Sequence, residues 1–249
     1  MNEGGHVVSM NIKVNLELTA KETAEAARQG NIMVVIDVLR CTSSIINALV
    51  NGAERIIPVK ALREAYKLKS EHPENLLAGE RGGTKPEGFD FGNSPLEFTR
   101  DKVQGKTLIF TTTSGTAALI RCRTAKSVLI ASFLNVSSVA SRALKIALRE
   151  EGEISIVPSG RRGHFSLEDF LCGGAIVEKL TEHNVILSDS ASASLLSFQQ
   201  AKNSLLNQIM KGEHAQNLVK LGFEEDVKFC CQVDVLDITP SLKNGAITL

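Results

Sequence analysis

The sequence predicts an α/β protein, layered α/β/α, with a largely parallel or mixed sheet. Three observations predict it. Short unbroken apolar runs such as Ile32–Ile36 read as strands buried on both faces. These runs alternate along the chain with helical patterns, the arrangement that builds a parallel sheet between helices. Clusters of carboxylate, guanidinium, hydroxyl and glycine follow the apolar runs, at the carboxyl ends of strands where open parallel sheets bind ligands. With 249 residues, 43% of them hydrophobic, the chain can form one α/β unit over residues 1–249 or two lobes around a cleft, with a boundary near Gln104-Gly105.

Met10–Leu18 alternates apolar and polar residues as a half-buried strand does. Thr19-Ala-Lys-Glu22 then has the spacing of a capping box, so a helix is predicted from there to Gln29, with Gly30 as its stop. Ile32–Ile36 is the buried strand and Thr42–Val50 the helix after it. Further strands are expected at Arg55–Val59, Asn75–Ala78, Thr107–Phe110, Ser127–Ala131 and Ile154–Val157. Helices are expected at Leu62–Ser70, Pro95–Val103, Thr116–Arg123, Val136–Glu150 and Leu167–Glu182. Towards the end, Ala191–Met210 and Ala215–Leu221 read as helical, and Gln232–Val235 and Ala246–Leu249 as short strands. Gly79–Ser94, dense in glycine and charge, is the longest irregular stretch and reads as a functional loop.

Composition excludes several classes. Lys plus Arg and Asp plus Glu both number 28, so there is no general attraction to nucleic acid or to an anionic membrane. No apolar run approaches the roughly 20 residues that cross a bilayer. Met1–Gly5, with Glu3 and two glycines, does not read as a signal peptide, and the expected location is the cytoplasm. Cys41, Cys122, Cys172, Cys230 and Cys231 are odd in number, sit mostly in apolar segments and lack zinc spacing, which suits reduced thiols. The sequence does not set the oligomeric state; a homodimer is compatible with it.

The strand ends carry Asp37 and Arg40, Glu80-Arg81, Thr111-Thr112-Thr113-Ser114-Gly115-Thr116, and Ser159-Gly160-Arg161-Arg162. Phosphoryl transfer needs that mixture, because its catalysis is mostly positioning and stabilisation of charge on the phosphoryl oxygens. Magnesium takes carboxylate oxygens, arginine forks grip phosphate, and Thr/Ser/Gly turns present backbone N–H groups to an anion. Each part also has a plain structural reading. Asp37 could be a cap, although a lone carboxylate closing a run as apolar as Met33–Ile36 favours a chemical role. Glu80 and Arg81 could form a local ion pair, and Ser166-Leu-Glu-Asp169 could be a capping box that uses up Glu168 or Asp169. Thr113–Thr116 could be an N-cap, His164 a bystander rather than a proton donor, and Asp189-Ser190 a helix cap rather than a nucleophile. Known phosphatase signatures are missing: no cysteine has an arginine six positions on, Asp37 has no second aspartate two positions later, and no Arg-His-Gly occurs. Walker and dinucleotide glycine loops are absent too, which disfavours a nucleotide-dependent transferase.

Five segments, in order, resemble the signature stretches of the 2-phosphosulfolactate phosphatase family: Ile36-Asp-Val-Leu-Arg-Cys-Thr42, Ala78-Gly-Glu-Arg-Gly82, Gly88-Phe-Asp-Phe-Gly-Asn-Ser-Pro95, Thr111–Thr116 and Gly163-His-Phe-Ser-Leu-Glu-Asp169. The similarity runs from about residue 10 to the end and includes Phe223-Glu-Glu-Asp226 and Cys230. It implies a magnesium-dependent hydrolysis of 2-phospho-3-sulfolactate, or a related small acidic phosphoester, to sulfolactate and phosphate, a step of coenzyme M synthesis. It also implies a set of site residues. Asp37, Arg40, Glu80, Arg81 and Asp169 become the catalytic candidates. Asp90, Asn93, Ser94, Thr113, Ser114, Gly115, Thr116, Ser159, Gly160 and Arg161 become the substrate-binding ones, and Asp37, Glu80, Glu168 and Asp169 the metal ligands. The alternative is a non-hydrolytic binder or sensor of a small phosphorylated acid. Cys41 stands where alanine is usual in the family, Ser114 where asparagine is usual, and Ser43-Ser44 replaces a threonine-rich stretch.

Overall fold

The computed structural model describes residues 12–249. Met10 and Asn11, the start of the first expected strand, and Met1–Gly5 lie outside the described residues. The strand itself is β1, Ile12–Leu16. The capping box after it forms as the spacing predicts: Glu22 N–H donates to the Thr19 hydroxyl (3.2 Å), and Thr19 N–H donates to the Glu22 carboxylate (2.9 Å). Helix α1, Ala20–Gln29, then ends at Gly30, whose φ of +83° is the left-handed stop.

Strand β2, Ile32–Ile36, and helix α2, Cys41–Val50, follow. Next come β3 (Arg55–Pro58), α3 (Leu62–Glu71), β4 (Leu76–Gly79), α4 (Arg100–Val103), β5 (Thr107–Thr111), α5 (Gly115–Arg121), β6 (Ser127–Ala131), α6 (Val136–Glu150), β7 (Ile154–Pro158) and α7 (Leu167–Leu180). After these lie β8 (Val185–Leu187), α8 (Asp189–Ala201), α9 (Leu205–Ile209), α10 (Glu213–Lys220), α11 (Glu224–Cys230) and the hairpin β9 (Ser241–Lys243) and β10 (Ala246–Thr248). No helix among the described residues is long and apolar enough to cross a membrane.

The ten strands form one sheet in the order β4-β5-β3-β10-β9-β6-β2-β7-β1-β8. Two parallel runs, β4-β5-β3 and β6-β2-β7-β1-β8, are joined through the antiparallel hairpin, which pairs antiparallel with β3 on one side and β6 on the other. The two runs therefore point in opposite directions along the sheet. The chain passes between the runs after α2 and after α5, and Gln104-Gly105 lies inside the smaller run, between α4 and β5. β2 shows why its sequence is apolar throughout: Ile32, Val34 and Ile36 pack against α6 and α7, while Met33 and Val35 pack against α1, α2 and α5. A strand with helices on both faces has no solvent side to leave polar.

Several expectations need correction. Pro95–Val103 is not one helix but a 3-10 turn, Pro95–Glu97, followed by α4. Between them Phe98 is fully buried against the rings of Phe91 and Phe110 (centroids 5.3 and 6.0 Å), and that packing overrides the helical pattern. Ala191–Met210 is likewise divided, by a 3-10 turn at Lys202–Ser204. Gln232–Val235 is not a strand. Asp234, at φ +54°, turns its carboxylate to the N–H and hydroxyl of Ser137 (2.7 and 2.6 Å), which ties the segment to the start of α6 instead of to the sheet. Strands β8 and β9 and helix α11 carried no expectation. The hairpin turn is Asn244-Gly245, with φ +49° and +80°, the two-residue turn that Asn-Gly favours.

Candidate active site

The carboxyl ends of β2, β4, β5 and β7 converge on one solvent-open pocket. Its walls include Asp37, Arg40, Glu80, Gly83, Asn93, Thr113, Ser114, Arg161 and Arg162, and, from α10, His214 and Asn217. Residues of both parallel runs line it.

Asp37 leaves β2 into a turn held by its own backbone and that of Thr42: Asp37 N–H donates to the Thr42 hydroxyl (3.0 Å), and that hydroxyl and Thr42 N–H both donate to the Asp37 carbonyl (2.8 and 2.9 Å). The turn fixes where the Asp37 side chain points. Its Oδ1 accepts the N–H of Cys41 (3.1 Å) at the start of α2. Gly115 is pressed so close that a Cβ there would stand 2.5 Å from Asp37 Oδ2 and 2.6 Å from Cys41 Sγ, so this position of the family signature is glycine for lack of space. Burial raises the Asp37 pKa to about 6; the charge of His214, the Cys41 N–H and the Ser159 hydroxyl act against the rise, and the charge of Glu80 adds to it. The neighbouring Cys41 thiol is pushed well above its usual range by burial and by Asp37, which removes it as a thiolate nucleophile.

Glu80, at the β4 exit, spends its oxygens on backbone. Oε1 accepts Thr113 N–H (2.6 Å), and Oε2 accepts Gly83 N–H (2.7 Å) and the Thr113 hydroxyl (3.2 Å). The Glu80–Arg81 ion pair does not form. The Arg81 guanidinium donates to the Glu80 and Lys60 carbonyls and to the Thr111 hydroxyl, and Arg81 is not part of the pocket wall. Arg40 does line the pocket, but its fork is engaged, with a 2.6 Å ion pair to Asp226 and a 2.7 Å bond to the Gly83 carbonyl, and Phe223 lies under its guanidinium carbon at 4.0 Å. Both partners of that ion pair are almost completely buried. Ser94 donates to the other oxygen of Asp226 (2.6 Å), so Ser94 supports Arg40 rather than facing the pocket.

The capping box that Ser166-Leu-Glu-Asp169 could form is not made. The Ser166 hydroxyl caps nothing in α7, and Asp169 instead accepts Val38 N–H (2.8 Å), Gly160 N–H (3.2 Å) and the Ser159 hydroxyl (3.3 Å), joining the β2 and β7 exits. Burial, with Asp37 and Glu168 nearby, raises the Asp169 pKa well above the ordinary aspartate range. Glu168 bonds His214 Nδ1 at 2.7 Å. Its burial pushes its pKa up, but the hydrogen bond and charge of His214 outweigh that and hold it below the usual glutamate value.

The remaining candidates separate by position. Asp90 accepts Leu77 N–H (2.8 Å) at the sheet edge, away from the pocket. Asn93 lines the pocket and has a buried Oδ1 without a hydrogen-bond partner. Thr116 closes a reciprocal turn with Thr112. Ser114 accepts the backbone N–H of Arg162 (3.0 Å). The side chains of Arg161 and Arg162 have no hydrogen bond or ion pair with another described residue, and both border the pocket. Gly160, at φ +66°, packs where a Cβ would meet the His164 carbonyl at 2.4 Å. His164 itself is exposed and is not part of the pocket wall; the histidine there is His214, which stands just before the expected helix Ala215–Leu221 and carried no expectation. Asp189-Ser190 is a cap region: the Ser188 hydroxyl accepts Ala191 N–H (3.2 Å), and Ser190 donates to the Leu16 carbonyl (2.8 Å).

Among the described residues, no group of three or more His, Cys, Asp or Glu side chains is placed to hold a metal ion. The four carboxylates expected as ligands are thus not gathered on one point. The pocket still offers a magnesium ion a fitting set of hard oxygen donors in Asp37, Glu80 and the unpartnered Oδ1 of Asn93. Magnesium commonly takes only one or two protein carboxylates and completes its shell with water and phosphate oxygens.

The family model for 2-phosphosulpholactate phosphatase matches residues 17–245. A probable 2-phosphosulfolactate phosphatase of Thermotoga petrophila is 44% identical over 216 residues, which are 87% of this chain and 91% of the relative. One from Caldanaerobacter subterraneus subsp. tengcongensis is 45% identical over 218 residues, 86% of this chain and 89% of the relative. One from Clostridium perfringens is 40% identical over 242 residues, 95% of this chain and 96% of the relative.

Proposed function

The chain belongs to the 2-phosphosulfolactate phosphatase family, and from that premise we propose that it is a magnesium-dependent phosphatase releasing sulfolactate and phosphate from 2-phospho-3-sulfolactate or a closely related acidic phosphoester. The observation that carries the reading is the composition of the pocket: Asp37 and Glu80 share it with Arg161 and Arg162, whose guanidinium groups have no partner among the described residues. Two carboxylates in the same pocket repel an anionic substrate unless a cation joins them, and two unpaired arginines supply more positive charge than a single phosphate uses.

Magnesium, bound at Asp37 and Glu80 with the Asn93 carbonyl beside them, would neutralise charge on the phosphoryl oxygens. The chain's own residues do the rest. The Glu80 carboxylate holds the Thr113 and Gly83 backbone in place at the mouth of the pocket. Arg161 and Arg162 grip the carboxylate and sulfonate that make the substrate acidic, and Gly115 leaves room beside Asp37 that any larger side chain would take from its carboxylate. Buried, reduced cysteines suit a cytoplasmic protein, and coenzyme M synthesis is the route in which such a reaction serves.

The test is phosphate release from 2-phosphosulfolactate after exhaustive chelation with EDTA and again after adding magnesium. Turnover should vanish and return. Full turnover in the chelated sample would remove the metal from the proposal, and binding without release in either sample would replace the phosphatase by a sensor of phosphorylated acids.

A further inference from the structure

The ester oxygen of a secondary alcohol is a poor leaving group, and breaking its bond to phosphorus is assisted when a proton reaches that oxygen as the bond lengthens. The groups already assigned do not supply one. Asp37 is the carboxylate assigned to the cation, Glu80 and Asp169 are occupied by backbone N–H donors, and arginine does not give up a proton.

His214 is placed to do so. It lines the same pocket as Asp37 and Glu80 but comes from α10, a helix of the carboxyl-terminal region outside both parallel runs. Its Nδ1 lies 2.7 Å from Glu168 Oε1, and the Glu168 side chain is only 3% exposed. A buried carboxylate can only accept at that contact, so Nδ1 carries hydrogen and Nε2 is left without a partner among the described residues. After burial, the charge of His214 is the largest influence on the Asp37 carboxyl, which places the ring within electrostatic reach of the reacting centre. The low pKa of Glu168 agrees with a carboxylate kept ionised beside the ring.

We propose that His214 is a catalytic residue, donating the Nε2 proton to the leaving oxygen of the phosphoester, and that Glu168 is its positioning residue. The inference rests on the phosphatase reading above. In the step, a water oxygen forms the new bond to phosphorus and the ester P–O bond breaks with its electron pair staying on the substrate oxygen. The imidazolium proton passes to that oxygen to give the hydroxy acid. The proton released by the attacking water restores the imidazolium through solvent.

The experiment compares wild-type protein with His214→Gln on a panel of acidic phosphoesters whose leaving oxygens run from weakly acidic alcohols to phenols. For the weakly acidic alcohols kcat should fall on the order of 10²- to 10⁴-fold, the range lost with a positioned general acid. The loss should shrink steadily as the leaving oxygen becomes more acidic and needs no proton. Glu168→Gln should show the same trend with a smaller loss. The ratio between two esters measured on one preparation does not depend on how much of a variant is folded, so a poorly folding variant still decides the matter. A kcat within a few-fold of wild type, or an equal loss for every ester, would overturn the role of His214 while leaving the phosphatase reading intact. Wild-type protein that turns over no member of the panel would overturn both.

Discussion

The exits of β2 and β4 each deliver one acidic residue to the same pocket, and the two carboxylates are treated differently. Glu80 is surrounded by donors, the N–H groups of Thr113 and Gly83 and the Thr113 hydroxyl. Asp37 is just as buried, yet its Oδ1 receives the single N–H of Cys41, and its pKa rises to about 6. A carboxylate satisfied by backbone is doing the work of a fold, holding a loop. One taken out of water with few donors costs free energy that the fold has no reason to spend, and such groups cluster at sites of chemistry. The comparison assigns chemistry first to Asp37 and architecture first to Glu80.

The strongest way to break that assignment is Asp37→Asn. Turnover should fall about a hundredfold or more, the scale of losing a principal electrostatic group at a phosphoryl-transfer site, and an activity within a few-fold of wild type would make Asp37 a structural cap. Stability should move the other way. Because the folded pKa lies above the ordinary 3.8, the wild-type carboxyl is comfortable below that value and loses stability as pH rises through about 6. In metal-free buffer the variant should therefore match wild type near pH 4 and become more stable from pH 6 upward. A rise of that size corresponds to on the order of 3 kcal/mol. Thermal unfolding across this pH range provides the check.

The arginines sharpen the comparison from the substrate side. Arg40 and Arg81 are committed to the protein, Arg40 by its buried ion pair with Asp226 and Arg81 by carbonyls and a hydroxyl, so selectivity for a second anion falls to Arg161 and Arg162. A substrate with a carboxylate or sulfonate beside the phosphate should exceed an uncharged alkyl phosphate by roughly 10- to 150-fold in kcat/KM, as expected for one charge-assisted contact of about 1.5–3 kcal/mol. Arg161→Ala should erase much of that preference. Equal kcat/KM for the two substrates in wild-type protein would refute the clamp.

Glu80→Gln tests the other half of the contrast. The amide turns one acceptor into a donor facing the N–H of Thr113 or of Gly83, so the variant should lose about 1.5–3 kcal/mol and melt a few degrees lower in metal-free buffer. That is the opposite sign to Asp37→Asn. Equal melting temperatures for Glu80→Gln and wild type would leave the two acids without the distinction drawn between them.

How far the sequence anticipates this site depends on how local each contact is. Thr19 and Glu22, three residues apart, carry their capping box in plain view, and the apolar run Ile32–Ile36 announces a strand with helices on both faces. The strand-end residues Asp37, Glu80 and Ser159 follow from the same logic. What sequence reading misses is long-range. Asp226 is 186 positions from Arg40, and His214 is 46 from Glu168, and no periodicity in either stretch signals the partner. The same blindness left open whether Asp169 only caps a helix, when its carboxylate bonds the backbone of two other loops, and it misread Gln232–Val235 as a strand, where the Asp234 carboxylate reaches back to Ser137. Of the two strands beside the Asn244-Gly245 turn, Ala246–Leu249 was expected, while Ser241–Lys243 is only three residues long and its pattern alone did not stand out.

The smallest expected effect lies where the two runs touch. The Ser114 hydroxyl, at the β5 exit, accepts the backbone N–H of Arg162 at the β7 exit (3.0 Å), and Arg162 sits at φ +52°, a conformation its side chain does not favour. Ser114 makes no capping bond to α5, so Ser114→Ala removes the link between the exits without unfastening the helix. A neutral, partly exposed hydrogen bond contributes about 0.5–1.5 kcal/mol. If its role is to hold the Arg162 turn ready for the second anion of the substrate, the loss should appear in KM as a rise of about 2- to 12-fold, with kcat unchanged. The rise should be absent for an uncharged alkyl phosphate, which has no second anion for Arg162 to meet. A fall in kcat with KM constant would instead mean that the Ser114 hydroxyl touches the phosphoryl group in the transition state, and would move Ser114 from the side of architecture, with Glu80, to the side of chemistry, with Asp37.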